Sequence, residues 1–157
     1  MKQVELRTNI VECQPEELSQ DEQQLVQMAI EATSRSYAPY SKFHVGAAIE
    51  LANGQCMMGC NQENAAFPAG LCAERSAIFA AGAQHPDQPI VKLAIAARGT
   101  DGELTADPVS PCGTCRQVII ETETRFHTPM RILLYGRSKV YVVEGIKQLM
   151  PLSFTEF

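Results

Sequence analysis

Long apolar runs are missing from this chain. No stretch approaches the roughly 18 consecutive apolar residues of a membrane-spanning helix, so a transmembrane protein is not expected. The opening residues, Met1-Lys2-Gln3-Val4-Glu5-Leu6-Arg7, lack the apolar segment of a secretory signal, and the cytoplasm is therefore the expected compartment. Basic residues are few, 13 against 18 acidic, and they do not cluster; the net charge is −5. A polynucleotide binder releases counterions with a basic stripe, so a free small molecule suits this chain better than DNA or RNA. Internal repeats, low-complexity tracts and interdomain linkers are also lacking. What remains is 157 residues, 45% hydrophobic and 20% charged. That composition predicts one ordinary globular domain over 1–157, large enough to bury a core.

Six cysteines are present: Cys13, Cys56, Cys60, Cys72, Cys112 and Cys115. With no export signal, a reducing compartment is expected rather than three disulfides. Cys56 and Cys60 fall on one predicted strand, about 13 Å apart at strand rise, too far to bridge or to share a metal. With Cys13 they read as ordinary buried or half-buried thiols. The other three stand in two motifs, Leu71-Cys72-Ala73-Glu74-Arg75 and Ser110-Pro111-Cys112-Gly113-Thr114-Cys115-Arg116.

Pro111 and the apolar run Val118-Ile119-Ile120 mark a helix whose first turn carries Cys112 and Cys115 on one face. Unpaired N–H groups and the positive end of the dipole favour thiolates there. Cys72 opens a second predicted helix and is the natural third ligand of a tetrahedral zinc site. Three protein ligands leave a position for water, whereas a structural site is normally closed by four. Glu74, two residues on, points elsewhere and is suited to carrying protons. Three thiolates make the site formally negative. Arg75 is expected to donate hydrogen bonds to ligand sulfurs and offset that charge, and Arg116 is a second candidate. A Cys-x-x-Cys pair alone also suits a redox or zinc-ribbon protein. A redox pair does not need Cys72-Ala73-Glu74, and a ribbon needs a second pair that Cys56 and Cys60 do not supply.

These motifs carry a resemblance. Cys72-Ala73-Glu74 followed by Pro111-Cys112-Gly113-Thr114-Cys115 resembles the signature of the zinc nucleoside and nucleobase deaminases, and its all-cysteine form is similar to the small homotetrameric cytidine deaminases. The resemblance implies one Zn²⁺ per subunit, held by Cys72, Cys112 and Cys115. It implies hydrolytic deamination of cytidine and 2′-deoxycytidine in pyrimidine salvage. Glu74 takes a proton from water, passes it to the ring nitrogen and protonates the departing amine. Asn61 and Glu63, in Cys60-Asn61-Gln62-Glu63-Asn64-Ala65, correspond to the family's ribose-binding segment; alone they read as polar turn residues. Phe43, by sequence a core residue, corresponds to the aromatic that packs on the pyrimidine. Phe154 corresponds to a C-terminal aromatic that reaches a neighbouring subunit's pocket. Another amino-bearing nucleoside or base remains an alternative substrate. His44, His85 and His127 lie outside the motifs and read as structural or solvent-facing.

In chain order, 1–17 is an arm with no assigned role. Ser19 to Glu22 reads as a capping box opening a helix that runs to Tyr37. His44–Leu51 and Gln55–Asn61 form a hairpin across Asn53-Gly54. The Cys72 helix, an apolar strand over 90–97, the Cys112 helix, strands over 131–135 and 140–143, and a short helix over 144–150 follow. The expected fold class is α/β, a three-layer α/β/α sandwich with a mixed sheet of about five strands.

Overall fold

The computed structural model describes residues 1–155. One sheet has the order β1-β6-β5-β4-β2-β3, where β1 is Val11–Cys13, β2 His44–Leu51, β3 Cys56–Cys60, β4 Ile90–Arg98, β5 Arg131–Tyr135 and β6 Val140–Glu144. β4 and β5 are parallel and every other neighbouring pair is antiparallel, so the sheet is mixed. Three α-helices cover it: α1 is Gln20–Thr33, α2 Ala73–Gln84 and α3 Gly113–Phe126.

The layers follow from alternation along the strands. Ala47, Ile49, Leu51, Leu93, Ile95, Ile132 and Leu134 point to one face and pack against Ala77, Ile78 and Ala81 of α2 and Ile119 and Ile120 of α3. Ala48, Ala94, Ala96, Leu133 and Val142 point to the other face, where Leu25, Val26 and Ala29 of α1 cover them. This is the three-layer α/β/α arrangement.

The sheet has six strands, not about five. The extra one is β1 in the arm, which pairs Val11 with Val142 on the outer edge of β6. Val11 and Glu12 are exposed, so no buried stripe announces the strand; the open edge of β6 specifies it. α1 ends at Thr33 rather than Tyr37. The Thr33 and Ser34 hydroxyls donate to the Ile30 and Glu31 carbonyls, and the backbone then turns through tighter i→i+3 bonds to Ser36. The short helix expected over 144–150 is a 3-10 turn, Ile146–Gln148, because β6 runs through Glu144 and Gly145 breaks the path at φ +80°. Cys56, expected to be at least half-buried, is exposed on the edge strand; Cys13 and Cys60 are half-buried. No helix among the described residues is long and apolar enough to cross a membrane.

Two glycines let the layers close. A Cβ on Gly46 of β2 would lie 2.0 Å from the Ala29 carbonyl of α1. One on Gly59 of β3 would lie 2.4 Å from Ala77 N and 2.5 Å from Ala73 O of α2. The absence of a side chain at Gly59 thus sets how near α2, with Cys72 at its N-cap, sits to the sheet.

Candidate active site

Cys72 is the N-cap of α2, and Cys112 is the N-cap of α3 with Cys115 one turn inside it. The two helix starts meet, so the three Sγ atoms lie within 4.8 Å of one another, with Cys72 and Cys112 3.9 Å apart. Among the described residues they form the one cluster of at least three potential metal ligands. Zinc–sulfur bonds of about 2.3 Å in a tetrahedron place sulfurs about 3.8 Å apart, so the donor set fits Zn²⁺ by both chemistry and spacing.

Charge is unevenly shared in this cluster. Cys72 is drawn down to about 5, chiefly by a hydrogen bond from Cys115, with Arg75 and Cys112 adding to it against burial. Cys115, fully buried, is pushed up by that same hydrogen bond to Cys72, then by desolvation and the nearby Glu74 charge. Arg75 Nη2 stands 3.6 Å from Cys72 Sγ. Its Nε is buried and has no hydrogen-bond partner among the described residues. Arg116 reaches no sulfur through the hydrogen bonds it makes among the described residues: Nε donates to Pro111 O at 2.9 Å and Nη1 to Leu149 O at 2.7 Å. From its place on α3 it ties the loop before Cys112 to the C-terminal segment.

Glu74 sits in the first turn of α2 and is only 4% exposed. Desolvation raises its pKa, the charge on Cys72 raises it further, and its own backbone N–H opposes them. A carboxyl group whose proton is retained more strongly than usual, beside a metal-type sulfur cluster, is placed to accept and return protons.

A cleft of about 590 Å³ reaches this cluster, lined in part by Cys72, Arg75, Asn61, Glu63, Tyr40 and Phe67. Asn61 and Glu63 follow the end of β3, and the main chain there pairs Tyr37 N with Asn61 O and Glu63 N with Tyr37 O. Each end of the Asn61 amide makes one contact with the backbone, Oδ1 accepting from Val45 N at 2.8 Å and Nδ2 donating to Phe43 O at 2.9 Å, and the amide has a second N–H and a second lone pair beside these. Glu63 Oε2 accepts from Tyr40 N at 2.9 Å and Ser41 N at 3.2 Å. Its pKa is lowered, first by the Ser41 hydroxyl and then by those amides. Phe43, half-buried, immediately precedes β2, and Asn61 holds its carbonyl.

Phe154 is 63% exposed and its carbonyl accepts from Gln117 Nε2 at 2.8 Å; it lies with Lys147, Pro151 and Leu152, away from the cleft of the same chain. His44 Nδ1 bonds the Ser36 hydroxyl, His85 caps the end of α2 and His127 ends α3 in a left-handed turn. Sequence reasoning missed Ser41, Tyr40 and Phe67. Only the fold brings the first two to Glu63, and no spacing rule could have found them.

A mixed-sheet α/β/α sandwich that seats three thiols and one buried carboxylate at two meeting helix starts defines a metal-site deaminase scaffold. The family model for the cytidine and deoxycytidylate deaminase zinc-binding region matches residues 19–128. The chain is 42% identical over 143 residues to a cytidine deaminase of Halalkalibacterium halodurans, covering 86% of this chain and 95% of that protein. It is 44% identical over 101 residues to one from Sporosarcina psychrophila, covering 64% and 69%. The crystal structure of cytidine deaminase from Burkholderia pseudomallei aligns with a TM-score of 0.72 at 35% identity, over 83% of this chain and 97% of that one. That from Mycobacterium tuberculosis aligns at 0.67 and 28%, over 88% and 100%. The chain belongs to the cytidine and deoxycytidylate deaminase family.

Proposed function

We propose that this chain is a zinc-dependent hydrolase that converts cytidine and 2′-deoxycytidine to uridine and 2′-deoxyuridine with release of ammonia, acting in pyrimidine salvage in the cytoplasm. The carrying observation is a carboxylate only 4% exposed, two residues after Cys72, which belongs both to the cluster of three sulfurs and to the lining of a cleft that also holds Asn61 and Glu63. The metal-site geometry and the similarity to cytidine deaminases support it.

Cys72, Cys112 and Cys115 hold one Zn²⁺ per subunit. Bound there, zinc supplies acidification of a water molecule, toward a pKa of about 7. Glu74 accepts a proton from the attacking water as its oxygen adds to C4 of the pyrimidine, and its carboxyl group delivers that proton to N3. It then takes the remaining proton from the new C4 hydroxyl and passes it to the amine, which leaves as ammonia as the C4 carbonyl forms. Burial suits Glu74 to both directions of transfer, since the protonated form is favoured there. Arg75 donates toward Cys72 and offsets the negative charge of three thiolates. Phe43 supports the pyrimidine, and Asn61 and Glu63 receive the sugar hydroxyls. The domain is one unit over 1–157, and four copies assemble, with Phe154 of each reaching a neighbour's cleft.

The test is the fall in ultraviolet absorbance on mixing zinc-loaded protein with cytidine, compared with Glu74→Gln. The variant is expected to keep its zinc and to lose at least about 10²-fold in turnover. Equal rates in the two proteins would refute the role given to Glu74.

A further inference from the structure

The family reading places a pyrimidine on Phe43 and sugar hydroxyls on Glu63, but it leaves open how the two are held in register. Phe43 lies just outside β2, and side chains hold both of its backbone polar groups. Its N–H donates to Ser41 Oγ at 3.0 Å, and its carbonyl accepts from Asn61 Nδ2 at 2.9 Å. Ser41 in turn faces Glu63. Its main-chain N–H donates to Oε2 at 3.2 Å, beside that of Tyr40 at 2.9 Å. Ser41 therefore joins the two ends, its hydroxyl oxygen holding the Phe43 amide and its own N–H holding the Glu63 carboxylate. Lys42, between Ser41 and Phe43, is held at φ +57°, a conformation that a lysine keeps only when its surroundings impose it. Ser41 and Glu63 both line the cleft.

Resting on the reading of Glu63 and Phe43 above, we propose that Ser41 is the positioning residue of this site: its main-chain N–H on the sugar-binding carboxylate and its hydroxyl on the Phe43 amide couple the two, so that engagement of the sugar at Glu63 sets the placement of the base. Both main-chain amides fall on Oε2, which leaves Oε1 for a sugar hydroxyl. The hydrogen bonds that the Glu63 carboxylate accepts are charge-assisted and fix Ser41 firmly, so the Oγ that holds the Phe43 amide moves with it. A nucleoside with its sugar hydroxyls gains from this coupling. One without them does not.

The experiment compares cytidine with 2′,3′-dideoxycytidine on zinc-loaded protein, reading kcat and KM for each. Ser41→Ala is expected to lower the ratio of the two kcat/KM values about tenfold, mostly through the KM for cytidine, and Ser41→Thr, which keeps the hydroxyl, to restore it. Glu63→Gln lowers the same ratio. If Glu63→Gln lowers it while Ser41→Ala slows both substrates equally, Ser41 acts only on the loop's general stability and the proposal is overturned. If Glu63→Gln also leaves the ratio unchanged, the sugar-binding reading of Glu63 falls, and the coupling falls with it. Ser41 is exposed, so the alanine variant should fold; should it not, Ser41→Cys, which keeps the shape but accepts weakly, is read in the same way.

Discussion

At the residue scale the site depends on where negative charge is stored. Three sulfurs within 4.8 Å of one another stand beside the buried Glu74, and Arg75, 3.6 Å from Cys72 Sγ, is the cation placed to balance their negative charge. Arg75→Ala is expected to reduce kcat about tenfold and to shift the acid limb of the activity profile to higher pH, because uncompensated negative charge opposes further deprotonation. Unaltered turnover together with an unaltered pH profile would sink this role. The candidate ligands, Glu74 and Arg75 were all legible in the sequence, since spacing at a helix start puts side chains on known sides. Arg116 was not. Its position in the chain matches a second donor to sulfur, yet a carbonyl thirty-three residues away, on Leu149, draws one end of its guanidinium. Asn61 was legible as a polar residue near the substrate, but its amide binding to Phe43 and Val45 depends on a strand pairing that no local pattern reports.

At the scale of elements, the position of α2 matters most. It carries Cys72 and Glu74, and it rests on β3 where Gly59 removes a side chain from its path. Gly59→Ala would place a Cβ against main-chain atoms of α2, which cannot move without shifting both site residues. The expected result is a loss of about 1–3 kcal/mol in stability together with weaker zinc retention and lower activity. Gly82→Ala, in the same helix but with nothing within 4 Å of the added Cβ, is expected to be neutral or to stabilise by up to about 1 kcal/mol with activity intact. Thermal melts and zinc content of the two variants check this contrast; equal behaviour would show that the helix–strand approach is not critical. α1 was readable at its start and not at its end. Ser19 and Glu22 announce the cap, and Glu22 does reach the Ser19 N–H at 3.0 Å. The end is set by the Thr33 and Ser34 hydroxyls turning back on the helix, and by Arg98 of β4 donating to Thr33 Oγ1 at 2.9 Å, a contact across sixty-five positions.

At the scale of the whole molecule, one chain leaves much apolar surface outside. Val4, Leu6 and Ile10 of the arm, Phe67 beside the cleft, Phe79 on α2 and Leu152 and Phe154 near the C-terminus are all exposed. Such surface on a chain of net charge −5 is consistent with burial between copies. Light scattering is expected to give a mass near four times 17.2 kDa, and a monomer at micromolar concentration would refute the proposed assembly. The sequence by itself determined the class of fold, the three sulfurs and the acid, because each rests on short-range chemistry: period along a strand, geometry at a helix start, the preference of a soft metal for sulfur. Tertiary structure alone decided that an exposed arm supplies a sixth strand, that Arg116 serves carbonyls, and that Ser41 stands between Phe43 and Glu63. Those outcomes depend on which edges and backbone groups are left unpaired after the chain has closed, and only the folded backbone determines that.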